Sequence, residues 1–212
     1  IHAINSGRGE CTFFVLPDGT SLCVDAGEIA PSGGEHPRVD AKPDADTRAY
    51  KVYSEYIKAY LPKGDTSMDY MLMTHFHNDH FGTTNSTYEK TTRDGYTYPL
   101  TGIMALYDEV PFDKIIDRAF DENSDYKTVV ESTGQDYNPG YGYYEQFITW
   151  ARGSKGLVAE KAVNGSLSQL ALVNNPSGYP DFKIQINAVN GWYWNGSESV
   201  DAYSMDRLIG NQ

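Results

Sequence analysis

The sequence has few basic residues, few cysteines and no long apolar run. Its 17 lysines and arginines are outnumbered by 29 acidic residues, which gives a net charge of −12. This balance argues against a non-specific nucleic-acid binder, because such a protein needs a positive surface for the phosphates. No apolar run approaches the roughly 20 residues that cross a bilayer, so we expect no membrane span. A small phosphorylated substrate is still allowed, because a bound metal would supply local positive charge.

The two cysteines lie one on each strand of the first predicted hairpin. With Asp18-Gly19 as a two-residue turn, Cys11 lies opposite Ala26 and Cys23 lies opposite Phe14. Side chains alternate between the faces of a sheet, so the two thiols should point to opposite sides. We therefore expect no disulfide, and the free thiols leave the redox compartment open.

The patterning of the 212 residues indicates one α/β domain, 1–212. Residues 1–27 read as two or three antiparallel strands. Apolar positions from Ala49 to Leu61 follow the spacing of one buried helix face, with Asp46 as the expected cap. The run 68–73 reads as a buried strand. A strand, helix, strand order places the flanking strands in one sheet.

The second half of the chain shows a less regular pattern of helices and strands. Residues 83–155 contain many of the 17 tyrosines. We expect the polar excursion 83–100 to overhang the functional site, and 118–155 to be either a lid or surface decoration. Further elements are predicted as helices at 102–109 and 143–152 and as strands at 112–117, 157–163, 167–173 and 182–188.

Three of the five histidines lie in one stretch of six residues directly after the predicted strand 68–73. In an extended segment, the side chains of residues i and i+2 point the same way, so His75 and His77 can bind one ion together. A turn at Asn78 then moves Asp79 and His80 to a neighbouring position. Imidazole nitrogen and carboxylate oxygen suit zinc and similar divalent ions. The spacing predicts a metal site at His75, His77, Asp79 and His80, and the less favoured alternative is a histidine-rich surface loop without metal.

This H-x-H-x-D-H stretch after an apolar strand resembles the metallo-β-lactamase superfamily of dinuclear metal hydrolases. The opening is similar to that of its ComEC-like branch, typified by the metal-hydrolase domain of a DNA-uptake protein. There a D-V-G-Q-G-D stretch, a strand, a P-D-G turn and an L-I-D-A-G strand occur in this order. The chain departs from it at Asn5, Ser6, Arg8 and Glu10, and the similarity weakens beyond about residue 120.

The resemblance implies a four-layer αββα sandwich, of which this chain would supply the first half plus insertions. It implies two Zn²⁺ ions per complete site, with Mn²⁺ or Fe as alternatives. His75 and His77 would hold the first metal, and Asp79 and His80 the second. Asp25 and Thr74 would support these ligands through hydrogen bonds. A strand-end turn is the alternative reading of Asp25.

The complete site of that family needs a further histidine for each metal and a bridging aspartate, yet no histidine follows His80. His2 and His36 precede the motif, and His36 is at best an adventitious ligand. Three explanations are open. The chain is the amino-terminal part of a longer protein (the favoured one), a variant with one metal or none, or a protein whose ligands come from a partner chain.

The implied activity is hydrolysis by a metal-bound hydroxide, with Asp79 as the catalytic residue that orients the water and passes on its proton. A phosphodiester-type substrate leads, and β-lactam or lactone hydrolysis is the runner-up. A third hypothesis is a non-catalytic binding protein that has lost the second half of the metal site. The acidity, the start at Ile1 and the Tyr/Asn/Gly-rich insertions favour an exported bacterial protein, periplasmic or extracellular, although free thiols also suit the cytoplasm.

Overall fold

The protein has a mixed α/β structure. A computed structural model describes residues 1–30, 42–44, 46–84, 88–132 and 140–201. His36 lies outside the described residues. Within those ranges the strands are β1 (His2–Ala3), β2 (Thr12–Val15), β3 (Ser21–Val24), β4 (Met68–Leu72), β5 (Lys90–Arg93), β6 (Tyr96–Pro99), β7 (Phe112–Asp117), β8 (Val158–Lys161), β9 (Ala188–Val189), β10 (Trp192–Trp194) and β11 (Ser199–Asp201). The helices are α1 (Ala49–Tyr60), α2 (Asn78–Phe81), α3 (Gly102–Glu109), α4 (Tyr126–Ser132) and α5 (Gly140–Lys155).

A six-stranded sheet organises the fold, in the order β1-β2-β3-β4-β7-β8. Strands β1 to β3 pair antiparallel, whereas β3, β4, β7 and β8 pair parallel. The strand, helix, strand prediction for β3, α1 and β4 is confirmed, and so are α3 and β7. The carboxyl ends of the parallel strands meet at one edge of the sheet, where α/β proteins build their sites.

The register of the first hairpin differs from the prediction by one residue. Phe13 pairs with Cys23, and the Leu16 amide donates to the Thr20 carbonyl, which leaves a three-residue turn instead of a two-residue one. A slip of one residue moves side chains to the other face of the sheet. The prediction that the thiols face opposite sides is therefore wrong: both are buried, and the sulfurs of Cys11 and Cys23 lie 3.5 Å apart.

Helix α1 begins in a different way from the prediction. Its N-cap is Arg48, and Asp46 provides no cap. The Ala49 amide instead donates to Oε1 of the buried Glu28, while Arg48 forms a two-pronged ion pair with the same carboxylate at 2.6 and 2.8 Å. The helix is thus anchored to the chain segment that follows β3, which lies next to the histidine loop.

The two faces of the sheet are covered unequally. One face packs against α1, α3 and α5 through a large core that includes Tyr53, Ile57, Met71, Ile103 and Phe147. On the other face a smaller cluster of Leu22, Tyr70, Ile116 and Leu170 is covered by side chains from 162–186. The segments 167–173 and 182–187, predicted as strands, instead cross this face as irregular chain.

Several elements escaped the sequence prediction, among them β10 and β11, which pair with β9 in a separate three-stranded sheet. The excursion 83–100 contains the hairpin β5–β6, whose Tyr98 packs on Phe147 and Trp150 of α5. Helix α4 lies in the stretch predicted as a lid or decoration. In the described part of the chain, no helix has the length and apolarity that crossing a membrane requires.

Candidate metal centre

Strand β4 delivers the histidines to the carboxyl edge of the sheet. Its pairing continues one residue further, where the Met73 amide donates to the Ile116 carbonyl. The chain then leaves the sheet at Thr74 and turns through the single helical turn α2. That turn is closed by the His80 and Phe81 amides, which donate to the His77 carbonyl at 3.0 and 2.9 Å. The structure thereby brings His75, His77 and His80 together, with the His75 and His80 ring centres 4.0 Å apart.

The first pair of predicted ligands converges. Nε2 of His75 lies 3.1 Å from Nδ1 of His77. Two imidazole nitrogens on one tetrahedral zinc lie about 3.3 Å apart, given Zn–N bonds of about 2.0–2.1 Å. Burial and the neighbouring charges of His80 and His77 lower the pKa of His75. Its ring is therefore neutral at pH 7, which is the form that binds metal.

Asp25 orients two of the three rings. Its carboxylate accepts hydrogen bonds from the amide and hydroxyl of Thr74 at 2.8 and 2.7 Å, and its Oδ2 lies 2.9 Å from Nδ1 of His80. Because the Thr74 hydroxyl donates to Asp25, it accepts from Nδ1 of His75 at 3.0 Å. Both His75 and His80 then carry their proton on Nδ1 and present the lone pair of Nε2, the arrangement that a ligating histidine needs.

The second pair of predicted ligands lies closer to solvent. Oδ2 of Asp79 is 3.5 Å from Nε2 of His80, and the Asp79 side chain is 46% exposed, against 16% for His80. Glu10 also approaches this ring, with 3.8 Å between its Oε2 and Nδ1 of His80. These positions place two carboxylates next to His80 in addition to Asp25.

The segment 25–28 holds the loop at close range. The amides of Ala26 and Glu28 donate to the carbonyls of His80 and Asn78, both at 2.9 Å. A Cβ at Gly27 would lie 1.6 Å from the Asp79 carbonyl oxygen, so only glycine fits there. Asp25 itself adopts a left-handed φ of 58°, which an aspartate tolerates better than most residues and which is common at functional sites.

A cavity of about 540 Å³ adjoins the loop at the carboxyl ends of β4 and β8. Its wall includes Met73 and Thr74 on the loop side, Arg118 after β7, and the Asn190-Gly191 turn between β9 and β10. Sequence reasoning missed Arg118 and Asn190. The signal for Arg118 was its position one residue after a parallel strand, and Asn190 is placed by a tertiary contact that no local pattern announces.

The residues fit a metal in part. Within the described ranges, no group of three or more His, Cys, Asp and Glu side chains is arranged to hold an ion as it stands. The four predicted ligands instead approach one another in two pairs, His75 with His77 at 3.1 Å and Asp79 with His80 at 3.5 Å. His2 is placed elsewhere, with Nδ1 3.1 Å from the Tyr56 hydroxyl on α1. The metal site therefore stays a prediction, for which the structure brings three of the histidines and Asp79 into one loop.

Comparison of the chain with family models, curated proteins and solved structures gave no match in any of the three. The metallo-β-lactamase resemblance accordingly stays a prediction from the motifs, and the function is argued from the geometry of the loop.

Proposed function

We propose that this protein is a metal-dependent hydrolase that acts on a phosphodiester-type substrate. The observation that carries the proposal is the joint orientation of His75 and His80 by Asp25. A carboxylate that fixes the tautomers of two rings turns their Nε2 atoms towards other ligand atoms, those of His77 and Asp79, and this serves metal binding more than packing. The imidazole and carboxylate donors suit zinc, with Mn²⁺ or Fe as alternatives.

In this proposal His75 and His77 hold one ion, and Asp79 and His80 hold another. A divalent ion there supplies a nucleophile from water at neutral pH and stabilises charge on the reacting oxygens. Asp79 is the group placed to accept a proton, because its carboxylate is half exposed beside His80. Asp25, already bound to Thr74 and His80, positions the ligands and has no free oxygen to react.

We propose further that the sheet is the first half of a four-layer αββα sandwich. The unequal covering of its two faces supports this, since the described residues that cover the face of Leu22, Tyr70 and Ile116 belong to irregular chain between 162 and 186.

Hydrolysis of a chromogenic panel tests the proposal after the protein has been loaded with zinc. We expect cleavage of bis-p-nitrophenyl phosphate by the parent chain and loss of at least about a hundredfold in His75→Ala. His2→Ala, which removes a histidine packed on α1, should retain full activity. Preferred cleavage of a cephalosporin or a lactone would move the assignment to the runner-up. Zinc binding without any hydrolysis would favour a binding protein, and no zinc binding would refute the metal site.

A further inference from the structure

The cavity beside the histidine loop has an uneven distribution of charge. Its walls are apolar where β4, β8 and the 186–189 segment contribute, through Leu72, Ala162 and Ile186 among others. Of the described residues that line it, Arg118 is the one charged side chain. A volume of about 540 Å³ lies within the range of small-molecule sites, roughly 300–1,000 Å³. The cavity is thus apolar with a single positive group.

Arg118 has no acidic partner in the described part of the chain. Arg8 also lacks one among the described residues, and its Nε is buried without a hydrogen-bond partner. The ion-paired arginines Arg48, Arg93 and Arg152 show the contrasting arrangement. An unpaired guanidinium on the wall of a cavity is matched by an oxyanion, to which it can donate two parallel hydrogen bonds.

The backbone of Arg118 is fixed in place. Its carbonyl accepts a hydrogen bond from Nδ2 of Asn190 at 3.0 Å, which ties the end of β7 to the β9–β10 turn. Asn190 holds this position with a left-handed φ of 50°, the conformation that an Asn-Gly turn favours. Neighbouring Asp117 is wholly buried and accepts hydrogen bonds from the amides of Ala119 and Phe120. The side chain of Arg118 therefore projects from a rigid turn.

Two contacts connect this turn with the histidine loop. Thr74 lines the same cavity and hydrogen-bonds to Asp25 and His75. On the other side, burial raises the pKa of the Tyr141 phenol, and the positive charge of Arg118 nearby opposes part of that rise. Tyr141 in turn packs on Phe76 between the first two histidines, with ring centres 4.4 Å apart. A molecule in the cavity would thus meet Arg118 at one wall and the loop at another.

We propose that the cavity between Thr74, Arg118 and Asn190 binds the oxyanion of a phosphodiester, with the Arg118 guanidinium as its charge partner. The proposal rests on the hydrolase function above and names the group of the substrate that the site recognises. The apolar walls accommodate an organic substituent of the ester. Specificity for an anion then comes from Arg118, whereas the histidine loop supplies the chemistry.

Binding of diphenyl phosphate to the metal-free protein tests this inference without any turnover. Titration calorimetry at low salt should show saturable binding to the parent chain. Arg118→Gln should weaken it about tenfold, the effect expected for the loss of a charged hydrogen-bonding partner. Arg118→Lys should retain part of the affinity, which distinguishes loss of charge from misfolding. Arg152→Gln is the matched control, since it removes an arginine that is paired with Glu122 at the surface.

Equal weakening in Arg118→Gln and Arg152→Gln, or no saturable binding by the parent chain, would overturn the inference. Benzoate that binds as tightly and with the same dependence on Arg118 would overturn the phosphodiester assignment. The two proposals also fail separately. If the protein binds diphenyl phosphate through Arg118 but takes up no zinc, the oxyanion site stands and the hydrolase proposal fails. If the protein binds zinc but not diphenyl phosphate, the oxyanion site fails and the metal site stands.

Discussion

The carboxylate of Asp25 lies 2.9 Å from Nδ1 of His80, and it reaches this ring from the end of a strand 55 residues earlier in the chain. The same carboxylate holds the amide and hydroxyl of Thr74. Asp25 is 3% exposed and His80 is 16% exposed, so the contact is shielded from competing water. The end of β3 therefore determines how the loop after β4 presents its nitrogens.

Asp25→Asn should weaken zinc binding by about 10- to 100-fold, because an amide cannot accept all three hydrogen bonds and the His80 tautomer is no longer fixed. Competition with a chromogenic chelator measures the affinity. Asp69→Asn is the matched control. Asp69 accepts hydrogen bonds from the amide and hydroxyl of Ser21 near the amino end of β4, whereas the histidine loop leaves its carboxyl end. Equal zinc affinity in the two variants would show that Asp25 is structural.

Gly27→Ala should displace the histidine loop. The new Cβ would meet the Asp79 carbonyl carbon and oxygen at 2.0 and 1.6 Å, and these are backbone atoms that cannot swing away. We expect a loss of at least about 2 kcal/mol in the free energy of unfolding, measured by urea denaturation, together with weaker zinc binding. Gly153→Ala in α5 is the control, because its Cβ meets nothing within 4 Å. That change should be neutral or stabilise the helix by up to about 1 kcal/mol.

The elements that could be predicted from the sequence are those determined by residues close together in the chain. Patterns that span only a few residues were enough to predict the apolar stripe of α1, the buried strand β4 and the clustering of His75, His77 and His80. The Cys11–Cys23 contact was missed because it depends on a one-residue difference in turn length. Glu28 replaced Asp46 at the start of α1 because a buried carboxylate from another segment reached the Ala49 amide.

Tertiary placement explains the other differences. The alternation at 182–188 predicted a strand, but Ile184 and Ile186 pack on the second face of the sheet, and the backbone of Ile186 hydrogen-bonds to Gly165 and Ser166 in a turn. Arg118 and Asn190 come together across 72 positions through one backbone carbonyl. No local pattern could have announced that contact, so the cavity beside the loop was found only in the structure.

Glu109→Gln should lower stability at neutral pH by up to about 1 kcal/mol, since Glu109 is paired with Lys51 and Lys58 on α1 in a partly exposed cluster. Hydrogen bonds from these lysines lower the pKa of Glu109. The pKa of this carboxyl is lower in the folded protein than in the unfolded chain, where it is near 4.5. The charged carboxylate therefore stabilises the fold at pH values above 4.5, and this stabilisation is lost as the pH falls through the pKa of the folded state.

Urea unfolding at pH 7 and pH 3, and at low and high salt, measures the effect of Glu109→Gln. The difference from the parent chain should shrink at pH 3 and in high salt. Glu55→Gln is the control, because Glu55 is 75% exposed and its carboxylate lies 3.5 Å from Lys58, a looser contact than those of Glu109. A difference that is equal at both pH values would contradict the ion-pair account.

The thiols of Cys11 and Cys23 should react slowly with a disulfide reagent in the folded protein. They are 3% and 0% exposed, and burial raises the pKa of Cys11, so little thiolate forms. We expect both to react within the dead time once the protein is in urea, and to react at the rate of structural opening without it. Fast reaction of one thiol in the native protein would contradict the buried pairing. Cys23→Ser, which keeps one thiol, assigns the signal.

The most direct test is a crystal structure of the protein grown with excess zinc, with anomalous data collected on both sides of the zinc edge. The account predicts an anomalous peak within bonding distance, about 2.0–2.1 Å, of Nε2 of His75 and Nδ1 of His77. Nδ1 of His80 should stay on Asp25. Rings that point apart, with no peak between them or beside Asp79, would contradict the metal centre and the hydrolase proposed from it.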